Sequence, residues 1–346
     1  MKVHLETERL LLRPFTGQDC DVAYQIAADE NTTRYLYWWG NAGSTPEGDA
    51  HRFLERAVGG WEKKPVMARE YALVLKETGA VIGDGSIEDF GNGEGEIGWI
   101  LLPQYRGRGY VTEMGKELLR YGFEELKLHR IIANCDARNE NSFRVMERLM
   151  MQRFQITYGV RPAKEKDGFS GDELMYAITK EQYEGWKEAW EMETLPCEFG
   201  GFMELPDLTD GEIRLVCHRK DPADPVKKWV PAYHFYITKG SEKVGQISLR
   251  VGYCPGLYIG GNIGYGVDEA YRGRGYAGKA CRLLMPVLRY HKMPVALITN
   301  DVNNFKSRRV CEKLGLKWLR QMDVPMHNDM YKNGIRRANI FAMEVE

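Results

Sequence analysis

The sequence has little of what would place it in several large functional classes. Its charge is balanced, 48 Lys and Arg against 49 Asp and Glu. It therefore lacks the basic field that a nucleic-acid binder presents, and no nucleic-acid partner is expected. No apolar run approaches the length that spans a bilayer, so no membrane partner is expected either. The seven cysteines include no C-x-x-C pair and no Cys/His ligand spacing. They read as reduced core thiols in a cytoplasmic protein, and no metal is expected. The opening MKVHLETERLLLRPF mixes charges among alternating apolar residues. That is the pattern of a β-strand and not of a secretory signal.

What is present is a repeat. The chain has 346 residues, 43% of them hydrophobic, enough for two cores. YRGRGY occurs at Tyr105–Tyr110 and again at Tyr271–Tyr276. An Ile-Gly-aromatic unit precedes each copy: Ile97 stands nine residues before Arg106, and Ile263 nine before Arg272. A helical pattern follows each, Val111, Met114, Leu118, Leu119 and Leu126 in one, Ala277, Cys281, Leu284 and Leu288 in the other. Next come short apolar strands, 130–134 and 295–299, and then Asn139-x-x-Ser142 and Asn304-x-x-Ser307 opening further helices. Each copy is strand, Gly-rich turn, helix, strand, helix: a duplicated domain. Between the copies lies a helix-forming stretch, 181–190, and then Pro196, Gly200, Gly201 and Pro206, which break the chain. We place the domains at 1–197 and 198–346.

A Gly-rich turn that opens a helix exposes unpaired N–H groups and a partial positive charge. Its glycines let backbone approach a phosphate, and its arginines add charge. One copy alone reads equally well as a left-handed turn with solvated arginines; two in matched context favour a diphosphate ligand. A dinucleotide fingerprint fits only the second copy by spacing and lacks its acidic residue, and the Walker G-K-[ST] is missing.

Gln104-Tyr105-Arg106-Gly107-Arg108-Gly109 resembles the acetyl-CoA motif Q/R-x-x-G-x-G/A of the GNAT acetyltransferases. The second copy keeps Gly273 and Gly275 but has Ala270 for the first position. Glu8-Arg9-Leu10-x-Leu12-Arg13-Pro14-Phe15 and Asp172–Tyr176 make the first copy resemble the RimJ/RimL branch. The second resembles another bacterial group around 261–265 and 328–331. The resemblance implies an α/β (α+β) chain of two tandem GNAT folds, each a mixed, mostly antiparallel sheet flanked by helices. It implies transfer from acetyl-CoA to a primary amine by direct attack, the acceptor a protein N-terminus or a small amine. It leaves room for a homodimer.

By the same resemblance, acetyl-CoA rests on Leu101, Leu102, Arg106, Gly107, Arg108, Gly109, Tyr110 and Asn139. In the second copy it rests on Val267, Arg272, Gly273, Arg274, Gly275, Tyr276 and Asn304. Glu96 is the expected base; Ser142 and Ser307 are the expected donors to the departing thiolate. Helix capping competes as the role of both Asn and Ser residues. Tyr176 and Tyr331 fall in closing segments that face the acceptor, or are plain core. Trp38 and Trp39 read as an acceptor wall or as packing.

The copies also depart from the pattern. The second has Asn262 where the first has Glu96, and Asn is no base. An alternative follows, in which one or both copies bind acyl-CoA without catalysis. The first copy has Leu149-Met150-Met151 where the second keeps Leu314-Gly315-Leu316. Losing that glycine is expected to shift the backbone after Ser142. Helices are expected over 19–28 and 45–62 in the first copy. The second has only about 221–228 there, so its acceptor face is expected to be open or closed from elsewhere. Pro286 is expected to kink the second motif helix.

Overall fold

The computed structural model describes residues 4–36, 43–161, 171–225 and 229–345. Trp38 and Trp39 lie outside them. The chain divides into two compact units, Met1–Tyr183 and Glu184–Glu346.

The first unit is built on one eight-stranded sheet ordered β1-β2-β3-β4-β5-β6-β8-β7. Its strands are β1 (Leu5–Glu6), β2 (Leu10–Pro14), β3 (Ala68–Leu75), β4 (Val81–Asp89), β5 (Glu94–Leu101), β6 (Arg130–Asp136), β7 (Gln152–Arg161) and β8 (Gly171–Thr179). Every neighbouring pair is antiparallel except β5 and β6. Those two run parallel for three residues, Glu94–Glu96 against Arg130–Ile132, and then part. Helices α1 (Cys20–Ala28), α2 (Glu30–Thr33) and α3 (Pro46–Glu62) fill the long β2–β3 connection. Thr45 starts α3 by accepting from the Gly48 amide, with Pro46 at the first helical position. Small buried residues, Ala23, Ala27, Ala50 and Ala57, let α1 and α3 approach, and Phe15 meets Phe53 edge to face at 5.1 Å. Helix α4 (Tyr110–Arg120) buries Met114, Leu118 and Leu119, and α5 (Glu140–Arg148) buries Val145 and Met146. Helix α6 (Lys180–Met192) carries the chain from one unit into the next.

The second unit has two sheets. One is antiparallel, β12-β11-β10-β9; the other is β13-β15-β14. Their strands are β9 (Arg214–Asp221), β10 (Ala232–Lys239), β11 (Glu242–Arg250), β12 (Ile263–Val267), β13 (Val295–Asp301), β14 (Lys317–Asp323) and β15 (Arg337–Glu344). Helices α7 (Pro255–Gly260), α8 (Tyr276–Leu283), α9 (Met285–Tyr290), α10 (Phe305–Lys313) and α11 (Asp329–Lys332) complete it. Alternation along β10 sends Tyr233, Phe235 and Ile237 into the core, against Cys281, Leu284 and Leu288. Each such burial contributes on the order of 2 kcal/mol. Pro286 does more than kink its helix: α8 ends at Leu283 and α9 restarts at Met285, because proline offers no N–H to continue the ladder.

Two expectations are corrected. Only Cys135, Cys281 and Cys311 are core thiols; Cys20 is exposed, and Cys197, Cys217 and Cys254 are half-buried. Tyr331 lies in the short α11, capped by Asn328, and not in the closing strand. That strand is β15, where Phe341 opposes Ile298 as Tyr176 opposes Ala133.

Candidate active site

Both YRGRGY turns fold alike. Gly107 and Gly109 have φ of +78° and +81°, Gly273 and Gly275 of +82° and +81°. In each copy the second glycine sits just before the helix, which starts at Tyr110 or Tyr276. Left-handed backbone at both positions turns successive amides toward the helix entrance, and only glycine adopts it without strain. A Cβ added at Gly107, Gly273 or Gly275 would meet nothing within 4 Å. The space in front of these turns is open, as a bound diphosphate requires.

The arginines divide their labour. Arg106 Nε donates to the Leu101 carbonyl at 3.0 Å and Arg272 Nε to the Val267 carbonyl at 3.1 Å. Each guanidinium thus ties the turn to the strand before it. Arg106 also donates to Thr32 Oγ1 at 2.5 Å. The Leu102 amide, just past the end of β5, donates to the Ile82 carbonyl of β4 at 3.0 Å. Tyr110 and Tyr276 are buried; Arg9 lies over the Tyr110 ring at 4.6 Å, and Lys239 donates to the Tyr276 hydroxyl at 3.3 Å. Arg108 and Arg274 are exposed.

Beside each turn the strands part. In the first unit, β5 beyond Glu96 has a strand neighbour on one side only among the described residues. In the second, a single residue closes the base of the fork. The Asn262 amide donates to the Leu297 carbonyl at 2.8 Å, and its Oδ1 accepts from the Leu297 amide at 2.9 Å. Its Nδ2 donates to the carbonyls of Arg250 and Gly252. Asn262 is fully buried and is a bracket between the two sheets. Glu96, at the same repeat position, receives Asn134 Nδ2 at 3.0 Å from the diverging strand.

Asn139 and Asn304 cap the helices that follow. Their Oδ1 atoms accept from the amides of Ser142 at 3.2 Å and Ser307 at 3.1 Å. The two aspartates that end the strands complete a repeated D-x-x-N-x-x-S turn, Asp136 and Asp301 each accepting from an amide two residues on. Sequence reading passed over these aspartates, although their spacing to the serines is the same in both copies. Ser307 Oγ lies 3.0 Å from the Tyr265 hydroxyl, and Trp99 occupies the repeat position of that tyrosine. Burial raises the Tyr265 hydroxyl above the usual phenol range. The expected backbone shift after Ser142 does not occur. Met150 takes φ +61°, close to the +72° of Gly315, and the hydrogen bonds match: Met151 N to Met146 O at 3.0 Å, Leu316 N to Cys311 O at 3.1 Å. Tyr176 is buried, its hydroxyl 3.4 Å from Glu147 Oε1, and burial with that carboxylate pushes it up to about 12.

A clamp on the first cradle was invisible in the motif. Arg9 Nη1 donates to the Arg108 carbonyl at 3.0 Å, and its Nε donates to Glu113 Oε2 at 2.6 Å. Burial pushes the Glu113 carboxyl up, but hydrogen bonds from Thr7 and Arg9 outweigh it and hold the group below its ordinary range. Lys279 stands at the matching repeat position and pairs with Asp210 at 3.2 Å and with Glu212. The tie recurs with its charges exchanged.

The face of each sheet that bears Glu96 or Asn262 differs between units. In the first, register aligns Glu70, Ser86 and Gly98 across β3, β4 and β5, with Glu88 opposite Glu96 in the next row. Asp84 is buried, and its carboxyl lies beside that of Glu70. Desolvation first, and then the neighbouring carboxylate, push Asp84 well above its ordinary range; burial raises Glu70 as well, against the pull of Arg56. In the second unit the same row reads His234, Ser248, Gly264. No helix pair precedes β10 among the described residues, and a cavity of about 360 Å³ opens on this face.

A family model described as "Acetyltransferase (GNAT) domain" matches residues 9–152 and 205–317. Among curated relatives, the uncharacterized N-acetyltransferase YnaD of Bacillus subtilis (strain 168) is 33% identical over 182 residues, 52% of this chain and 99% of that protein. The putative ribosomal N-acetyltransferase YdaF of the same organism is 26% identical over 52% of this chain and 96% of its own. A crystal structure of a GNAT-family acetyltransferase from Bacillus anthracis is 31% identical, covering 51% of this chain and 99% of that one, with a TM-score of 0.44.

Proposed function

The chain belongs to the GNAT acetyltransferase family, and from that premise we propose that it is an acetyl-CoA-dependent N-acetyltransferase with a cradle in each of two domains, 1–197 and 198–346. The observation that carries this reading is the pair of glycine turns with matching left-handed backbone, each opening a helix beside a parted strand. The residues fit the co-substrate. Amides of 106–110 and 272–276 would receive its diphosphate, and the free edges of β5 and β12 its amide-bearing arm.

In the first unit Glu96 takes a proton from the acceptor ammonium, held in place by Asn134. The hydroxyls of Ser142 and Ser307 give a proton to the departing thiolate in their respective units. The carboxyls of Glu88 and Glu96, with Glu70 in the adjoining row, support a cationic acceptor, because clustered acids concentrate cations near them. A protein N-terminus and a small polyamine both meet that requirement; the name carried by YdaF favours the former. Asn139 and Asn304 act by capping the helices that present the serines.

Thiol release from acetyl-CoA, measured with a mixed set of primary amines, tests the reading. Release tied to formation of an acetylated amine is the expected result. Binding of acetyl-CoA without release would leave a module and not an enzyme.

A further inference from the structure

The second unit lacks a carboxylate at the position of Glu96, and Asn262 is fully engaged as a bracket. Yet the cavity on the same face is lined by titratable groups: His218, Arg219 and His234, beside Ser248 and the backbone of Gly264–Gly266. His234 holds the register position that Glu70 holds in the first unit, one strand from the serine and two from the glycine of the edge strand. Duplication has kept an ionisable side chain in this place and changed its type.

The ring is oriented. His234 Nε2 lies 2.9 Å from Asp221 Oδ2, and Arg219 Nε holds the other oxygen of the same carboxylate at 3.1 Å. A carboxylate on one ring nitrogen fixes the tautomer and leaves the other nitrogen to accept a proton. Arg219 Nη2 lies beside the ring, 3.1 Å from Nε2 and 3.4 Å from that other nitrogen, Nδ1. A bulge in β9 skips His218 in the pairing; its ring stacks on Tyr236 at 3.9 Å and lines the cavity.

We propose that His234, positioned by Asp221, is the general base of the second unit and that this cavity receives the acceptor amine. The proposal rests on the acetyltransferase reading above. His234 Nδ1 takes one proton from the ammonium. The freed amine attacks the thioester carbonyl carbon, so that the C–N bond forms and the C–S bond breaks. The second amine proton passes through the Tyr265–Ser307 hydroxyl pair to the departing thiolate, and His234 returns its proton to solvent. No other reactant is needed. Burial, and next the Arg219 charge, lower the His234 imidazole against the pull of Asp221, with Arg250 acting in the same direction as Arg219. The balance favours the neutral ring, the form that a general base needs.

The test uses the full chain carrying Gly107→Glu, so that the second cradle is the working one. Thiol release is followed against pH with acetyl-CoA and four probes: a diamine, a polyamine, an amino-acid amide and a peptide with a free N-terminus. Adding His234→Gln is expected to lower kcat/KM for the accepted amine about 100-fold, with acetyl-CoA affinity unchanged, and to remove the acidic limb of the profile. Asp221→Asn is expected to shift that limb with a smaller loss. It decides the matter if His234→Gln does not fold. Unchanged turnover and an unchanged acidic limb would overturn the assignment of the base. Acetyl-CoA binding with no thiol release from any probe would also overturn it, while leaving the cradle intact. Failure of acetyl-CoA to bind at all would remove the acetyltransferase reading for this unit and the proposal with it.

Discussion

Met150 carries a long side chain where the second copy has Gly315, yet both are left-handed. For an L-residue that conformation costs about 1 kcal/mol. Met150→Gly is therefore expected to stabilise the first unit by up to about 1 kcal/mol, offset in part by the added freedom of the unfolded chain, and Gly315→Ala to destabilise the second by a similar amount. Denaturant melts of the two variants check both signs. Glu113 gives a pH dependence. Its folded pKa is depressed, so its contribution is complete above the unfolded carboxylate range, near pH 4, and is lost as pH falls through the folded value. Glu113→Gln is expected to cost on the order of 1 kcal/mol at pH 7 and close to nothing at pH 2. A cost that persists at pH 2 would mean that Arg9 is not holding an ionised carboxylate. Asp84 has the opposite sign. Its pKa is raised by burial, so the folded state loses stability as pH climbs above the unfolded value. Asp84→Asn is expected to raise Tm at pH 8 more than at pH 4.

Elements were legible where a local signal is strong. Thr45-Pro46 announces α3, Pro286 announces the break between α8 and α9, and the repeated glycines announce the two cradles. What could not be read depends on register. The alignment of Glu70 with Gly98, or of His234 with Gly264, needs strand pairing that no local pattern encodes. The bulge that swings His218 onto Tyr236 is likewise a property of two strands together. Helix caps lie between these cases. Asn139 and Asn304 looked equally suited to capping and to a ligand, and geometry puts each Oδ1 on a serine amide. Replacing Asn304 by Ala is expected to cost about 1 kcal/mol, and by Ser almost nothing. If the cap is the residue's role, acetyl-CoA affinity follows the same order. An affinity that falls equally in both variants would argue for direct contact.

At the scale of the whole chain, duplication explains more than any single motif. The two copies share the cradle, the D-x-x-N-x-x-S turn and the tie across the cradle. They differ where the acceptor would bind: a buried Asp84 beside a half-buried Glu70 in one, a histidine–aspartate pair on an open face in the other. Matching turns with divergent sheet faces are the arrangement expected if the two units are, as proposed, transferase sites with different acceptors. That difference was foreshadowed by the short β9–β10 connection and by Asn262; the groups that replace the missing base were not, because His218 and His234 lie far from every motif in the sequence. Two transferase sites require two working cradles. Calorimetric titration of the chain with acetyl-CoA measures this directly, on the wild type and on Gly107→Glu and Gly273→Glu. A stoichiometry of two, reduced to one by each variant, is the predicted result; a wild-type stoichiometry of one, or none, would contradict it.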